Sequence, residues 1–128
     1  MSSESLHEAA ERLTPATRDL HRAIVSLMEE LEAIDWYQQR VDAAEDGELR
    51  EILGHNRDEE KEHAAMVLEW IRRHDPSFDA KLREYLFTEG SIVGREEAVG
   101  KRELSTNGAN GARITPPLLT LGSLRGGR

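Results

Sequence analysis

Apolar positions recur every three or four residues through the first two thirds of the chain. Between Thr14-Pro15 and Glu45-Asp46-Gly47 no glycine or proline interrupts the sequence. Leu20, Ile24, Leu27, Leu31, Ile34 and Val41 step by four and three, with the polar Gln38 taking one place in the series. That heptad-like stripe predicts a long amphipathic helix. Thr14 suits its N-cap, and Pro15 its first position, where a missing N–H leaves nothing unpaired. A second helix is expected from Gly47-Glu48, capped by Asp46, to about Arg73, before the break at His74-Asp75-Pro76. Arg72 and Arg73 fall in its last turn, where the helix dipole favours positive charge. Asp75-Pro76 opens a third, shorter helix with Phe78, Leu82, Tyr85 and Leu86 on one face. There is no convincing strand pattern. The predicted fold is all-α: an antiparallel two-helix hairpin plus a short C-terminal helix.

Two helices alone bury little surface, and small cores are marginal. The first helix also carries Val25 and Trp36 roughly opposite its main stripe, beside Glu29 and Glu32. This second strip reads as a surface for partners. The hairpin is therefore expected to self-associate.

The second helix holds an anomaly. At about 100° per residue, Leu49, Ile52, Leu53, Val67, Trp70 and Ile71 form one stripe, and Asn56, Glu60 and His63 lie within it. Burying an unpaired carboxylate is costly, so Glu60 needs a partner. On the first helix Glu30 lies at the edge of the main stripe, between Leu27 and Ile34. Glu30 and Glu60 stand at similar distances from the turn near Asp46. Folding the hairpin should therefore bring both carboxylates and the imidazole to one height.

A hard or borderline divalent cation would hold such a group together. Glu60-Lys61-Glu62-His63 is an E-x-x-H motif, its ends on one helical face. Ferritin-like di-iron bundles combine a Glu from each of two helices with E-x-x-H from each of two others. This chain offers half of that set. A two-fold dimer would supply the other half and complete a four-helix bundle around two metals. The motif alone is weak, since Glu4-Ser5-Leu6-His7 also matches it. Its weight comes from interrupting an apolar stripe. On spacing alone, a structural hydrogen-bonded pair within a bundle explains Glu60 and His63 equally well.

Charge and composition narrow the function further. The chain of 128 residues has a formal net charge of -8, which opposes general nucleic-acid binding and is compatible with cation binding. The absence of cysteine excludes a disulfide scaffold, a thiolate metal site and a thiol nucleophile. No apolar run reaches the roughly 18 residues of a membrane span. The start, MSSESLHEAAERL, lacks the basic and apolar regions of a secretory signal, so none is expected. The charge is uneven: after residue 97 one acid, Glu103, faces five bases, and six of the ten glycines lie there. The expected division is a helical domain over 1–97, a flexible linker over 98–117 and a terminal peptide over 118–128.

The stretches HRAIVSLMEELEAIDWYQQRVDA (21–43), HNRDEEKEHAAMVLEWIRR (55–73) and YLFTEG (85–90) resemble the encapsulated ferritins, ferroxidases packaged inside encapsulin shells. The resemblance spans about residues 6–92. It implies oxidation of Fe(II) by O2 at a di-iron site, with Glu30, Glu60 and His63 from each of two chains as ligands. It also implies Glu60 as the bridging carboxylate, and an outer metal-attraction site at Glu29 and Glu32 with Trp36 nearby. Tyr37 resembles a family tyrosine close to the metals, although interface packing explains it as well. A solvated acidic face likewise accounts for Glu29 and Glu32. His21, His55 and His74 read as surface or structural residues. The family further implies a ring-like decamer of five dimers, iron storage in the shell lumen, and a cytoplasmic location inside that nanocompartment.

The end of the chain carries Leu118-Leu119-Thr120-Leu121-Gly122-Ser123-Leu124-Arg125 after a Gly-, Asn- and Pro-containing stretch. This apolar cluster has no core to join. It is similar to the encapsulin cargo-loading peptide, with Leu119, Leu121 and Leu124 entering shell pockets and Gly122 and Ser123 permitting a close turn. Two rival functions stay open: a Zn- or Mn-binding helical bundle without ferroxidase turnover, and a non-enzymatic encapsulin cargo adaptor.

Overall fold

The computed structural model describes the chain from Ser5 to Ala109, with side chains described as far as Gly100. A short 3-10 turn (Ala10–Arg12) precedes four helices: α1 (Pro15–Ala43), α2 (Gly47–His74), α3 (Pro76–Tyr85) and α4 (Ile92–Ala109). The described residues contain no strand. The architecture is all-helical, as the apolar periodicity predicts.

The caps are local and chemical. Thr14 Oγ1 accepts from the Thr17 N–H at 3.0 Å, Asp46 from the Leu49 N–H at 2.8 Å, and Asp75 from the Phe78 N–H at 3.1 Å. Each satisfies a donor that the first helical turn leaves free. The turn between α1 and α2 is closed by Arg50, whose Nε and Nη2 donate to the Ala44 carbonyl at 3.2 and 2.6 Å. From there the helices run antiparallel: Arg57 of α2 meets Gln38 of α1, and His63, further along α2, meets the earlier Glu30.

The boundary between two compact units falls after Ala80, within α3. In the first unit, only Ala64 and Ile71 are fully buried among the described residues. Leu20, Leu27, Ile34 and Val41 of the α1 stripe are half-buried, while Ile24 and Leu31 are exposed, Leu31 at 54%. On α2, Ile52, Met66 and Trp70 are exposed likewise. Each stripe is wider than the arc one neighbouring helix can cover. At the end of α2, Glu69 accepts from Arg72 Nε and Nη2 at 2.8 and 2.7 Å and from Arg73 Nε at 2.7 Å, and Arg72 also donates to Asp79.

In the second unit, Phe87 takes a left-handed backbone, φ 60°, and Gly90 follows at φ 86°. Thr88 Oγ1 donates to the Tyr85 carbonyl at 2.7 Å, and Arg95 Nε to the Glu84 carbonyl at 3.0 Å. Ser91 Oγ accepts from the Gly94 N–H at 2.9 Å and begins α4. Residues 98–109, assigned to a flexible linker from their glycines and asparagine, are thus helical. Helix formers from Arg95 to Leu104 outweigh the single Gly100 within that run. The proposed terminal peptide, 118–128, lies outside the described residues.

Candidate metal centre

The helical periods of α1 and α2 place one residue of each kind at the same level. Glu30 comes from the middle of α1, and Glu60 and His63 from successive turns of one face of α2. One ligand atom from each of the three lies within 4.8 Å of the others. His63 Nδ1 stands 3.3 Å from Glu30 Oε2 and 3.6 Å from Glu60 Oε2. The side chains of Glu30 and Glu60 are 24% and 22% exposed, and that of His63 is 47% exposed. The carboxylates therefore face inward while the imidazole keeps the cluster open on one side.

The electrostatics favour a cation. A hydrogen bond with Glu60 raises the Glu30 carboxyl above its ordinary value, desolvation adds to the effect, and His63 opposes it. Glu30 Oε2 is buried and meets no donor in full hydrogen-bond geometry, although His63 Nδ1 stands 3.3 Å away. A metal ion would satisfy that oxygen. Two carboxylates and an imidazole suit iron, manganese or zinc.

The remaining candidates sit elsewhere. Glu29 and Glu32 are exposed on α1 and outside the cluster. Trp36 is 49% exposed and lines a shallow hollow with Gln39, Arg40 and Ala43. Tyr37 is half-buried, with the Arg40 guanidinium 5.4 Å over its ring. His55 is exposed and 3.5 Å from Glu59, as a surface residue would be. His74 stacks on Trp70, ring centroids 3.9 Å apart, and pairs through Nδ1 with the Trp70 carbonyl at 2.8 Å, a structural placement. Leu119, Leu121, Gly122, Ser123 and Leu124 lie outside the described residues. One feature near the cluster escaped the sequence reading: Arg57 Nη1 donates to Gln38 Oε1 at 3.0 Å, joining the two helices. Gln38 standing in an apolar series was its signal.

The sequence profile described as EncFtn-like matches residues 5–89, which contain all three cluster residues. The chain belongs to the EncFtn-like family. This EncFtn-like chain is 57% identical over 127 residues to an encapsulated ferritin-like protein of Rhodospirillum rubrum, covering 98% of itself and 91% of that relative. It is 49% identical to a ferritin-like protein of Thermotoga maritima, over 87% of itself and 97% of the relative. It is also 39% identical to the encapsulin nanocompartment cargo protein EncC of Myxococcus xanthus, over 84% and 85%. A crystal structure of a Nitrosomonas europaea protein, 62% identical, superposes with a TM-score of 0.67 over 69% of this chain and 97% of that one. The EncFtn-like fold is therefore that of a ferritin-like helical protein.

Proposed function

We propose that the protein is an encapsulin cargo that oxidises Fe(II) to Fe(III) with O2 at a two-iron site shared between two chains. The observation that carries the reading is the convergence of Glu30, Glu60 and His63 from two helices within 4.8 Å. One chain supplies three ligand side chains, which is half of a ferritin-like set. A two-fold partner would supply the same three again, so that Glu30, Glu60 and His63 of both chains would hold the two ions between them. The exposed edge at His63 and the uncovered Ile52, Met66 and Trp70 elsewhere on α2 support such a partner. Assembly of the dimers into a ring-like decamer is part of the same proposal.

Fe(II) is the substrate. The acidic surface of the helical unit draws it in, with Glu29 and Glu32 as an outer attraction point. At the cluster, anionic oxygens stabilise the ferric charge over the ferrous one. Pairing two ions lets two electrons reach O2 together.

The cargo role rests on the relatives' names and on the Leu118–Arg125 peptide. A location within an encapsulin nanocompartment in the cytoplasm is part of the proposal. The three-part division, with residues 118–128 as targeting peptide, belongs to this proposal. The deciding experiment is aerobic Fe(II) oxidation by wild type beside Glu60→Ala, with iron per chain counted on the same samples. Fast oxidation with about one iron per chain, both lost in the variant, is the expected result. Iron binding without rate enhancement would instead mark a metal-binding bundle. No difference between the two proteins would leave only the cargo role.

A further inference from the structure

The metal cluster sits between two unequal halves of the hairpin. Beyond it, toward the end of α2, Ala64 and Ile71 are buried and pin the helices together. Between it and the turn, residues 31–43 of α1 and 47–59 of α2 include no buried side chain. Leu49 and Ile52, which the stripe pattern would put in a core, are 47% and 52% exposed. This half is the less tightly packed of the two. It is also where Arg57 reaches across to Gln38.

The Arg57 side chain is only 22% exposed. Its Nη1 donates to Gln38 Oε1 and its Nε to Asp58 Oδ1, both at 3.0 Å. Gln38 in turn donates from Nε2 to Asp42 Oδ1 at 3.0 Å. The guanidinium lies over Gly54, where an added Cβ would come 3.8 Å from Nη2. A glycine inside a helix costs about 1 kcal/mol relative to alanine. At 3.8 Å that contact is an ordinary one, so Arg57 would tolerate a Cβ at Gly54. Arg57 is one turn from Glu60, and Gln38 is two turns from Glu30. An axial slip of one residue moves a helix by about 1.5 Å, a large step against normal ligand-distance tolerances.

We infer that Arg57 and Gln38 act as a positioning clamp that holds the register of α1 and α2 in the coreless half and so keeps Glu30 opposite Glu60 for metal capture. The clamp touches neither metal nor substrate and acts through the two carboxylates. It rests on the metal reading of the cluster.

The test is Zn(II) titration of the full chain against a competing chelator, for wild type, Arg57→Met, Gln38→Leu, the double variant and Arg57→Lys. Each single apolar change weakens Zn(II) binding about three- to tenfold, and the double variant is no weaker than the poorer single one. Arg57→Lys, which keeps a charged donor for Gln38, recovers part of the loss. If Arg57→Met does not fold, Gln38→Leu and Arg57→Lys carry the comparison. Unchanged affinity in variants whose Tm has fallen would overturn the clamp, as would losses that simply add in the double variant. Wild type that binds Zn(II) no better than Glu60→Ala would overturn the metal reading itself, and the clamp with it. Wild-type binding without any dependence on Arg57 or Gln38 would remove the clamp alone.

Discussion

His63 on α2 and Glu30 on α1 meet across the hairpin, Nδ1 to Oε2 at 3.3 Å, with Glu60 completing the group. That contact ties the function to the tertiary fold, because neither helix alone holds enough ligands for a metal.

Metal should act on stability and assembly together. Without metal, a hydrogen bond with Glu60 and then burial hold the Glu30 carboxyl above its ordinary value. A raised carboxyl contributes stability that is present at low pH and lost as pH rises through its folded value. Metal-free Glu30→Gln should therefore melt higher than metal-free wild type near neutral pH. Adding Zn(II) should raise the wild-type Tm and shift it toward dimer in sedimentation, with neither effect in Glu60→Ala. Equal apo and metal-loaded assembly states would count against a metal bridging two chains.

His63→Ala should abolish fast Fe(II) oxidation while leaving helicity and Tm nearly unchanged. The side chain is about half exposed, and such surface changes usually cost within about 0.5 kcal/mol. Circular dichroism beside stopped-flow oxidation checks both halves. A retained rate would remove His63 from the site.

Acid stability should depend on Glu69. Hydrogen bonds from Arg72, then from Arg73, lower its carboxyl from 4.5 to about 2. The unfolded chain then binds this proton more readily than the folded one. The contribution is full above pH 4.5 and is lost as pH falls toward about 2. Glu69→Gln should flatten that part of the unfolding-versus-pH curve and leave the curve above it with little change in slope.

Ile71 is 1% exposed and anchors the packed half of the hairpin. Ile71→Ala should lower stability by about 2–4 kcal/mol. Chemical denaturation of the metal-free protein measures it. A loss below ~1 kcal/mol would mean that the core lies mainly between chains.

Removal of residues 118–128 should leave Fe(II) oxidation intact and abolish co-purification with the encapsulin shell protein. Continued packaging would refute the targeting peptide.

Much of this protein is legible along the chain. The three helix starts follow from Thr14-Pro15, Asp46 and Asp75-Pro76, because a capping side chain needs only the next turn of backbone to act on. The cluster is legible as well: Glu60 and His63 betray themselves by breaking an apolar stripe, and equal distance from the turn brings Glu30 to them. The extent of α4 is not legible, since glycine and asparagine at residues 98–109 argue against a helix that local helix formers sustain.

Features set by neighbours within a turn or two are written along the chain: caps, stripes, the turn and the level of the ligands. Which part of each wide stripe is covered is settled only when the helices pack. Burial depends on the partner surface, and a single neighbouring helix covers Ile34 and Ile71 while leaving Leu31 and Ile52 open. Packing alone also decides that Arg57 finds Gln38, because a long side chain chooses its acceptor only once two helices fix the distance between them.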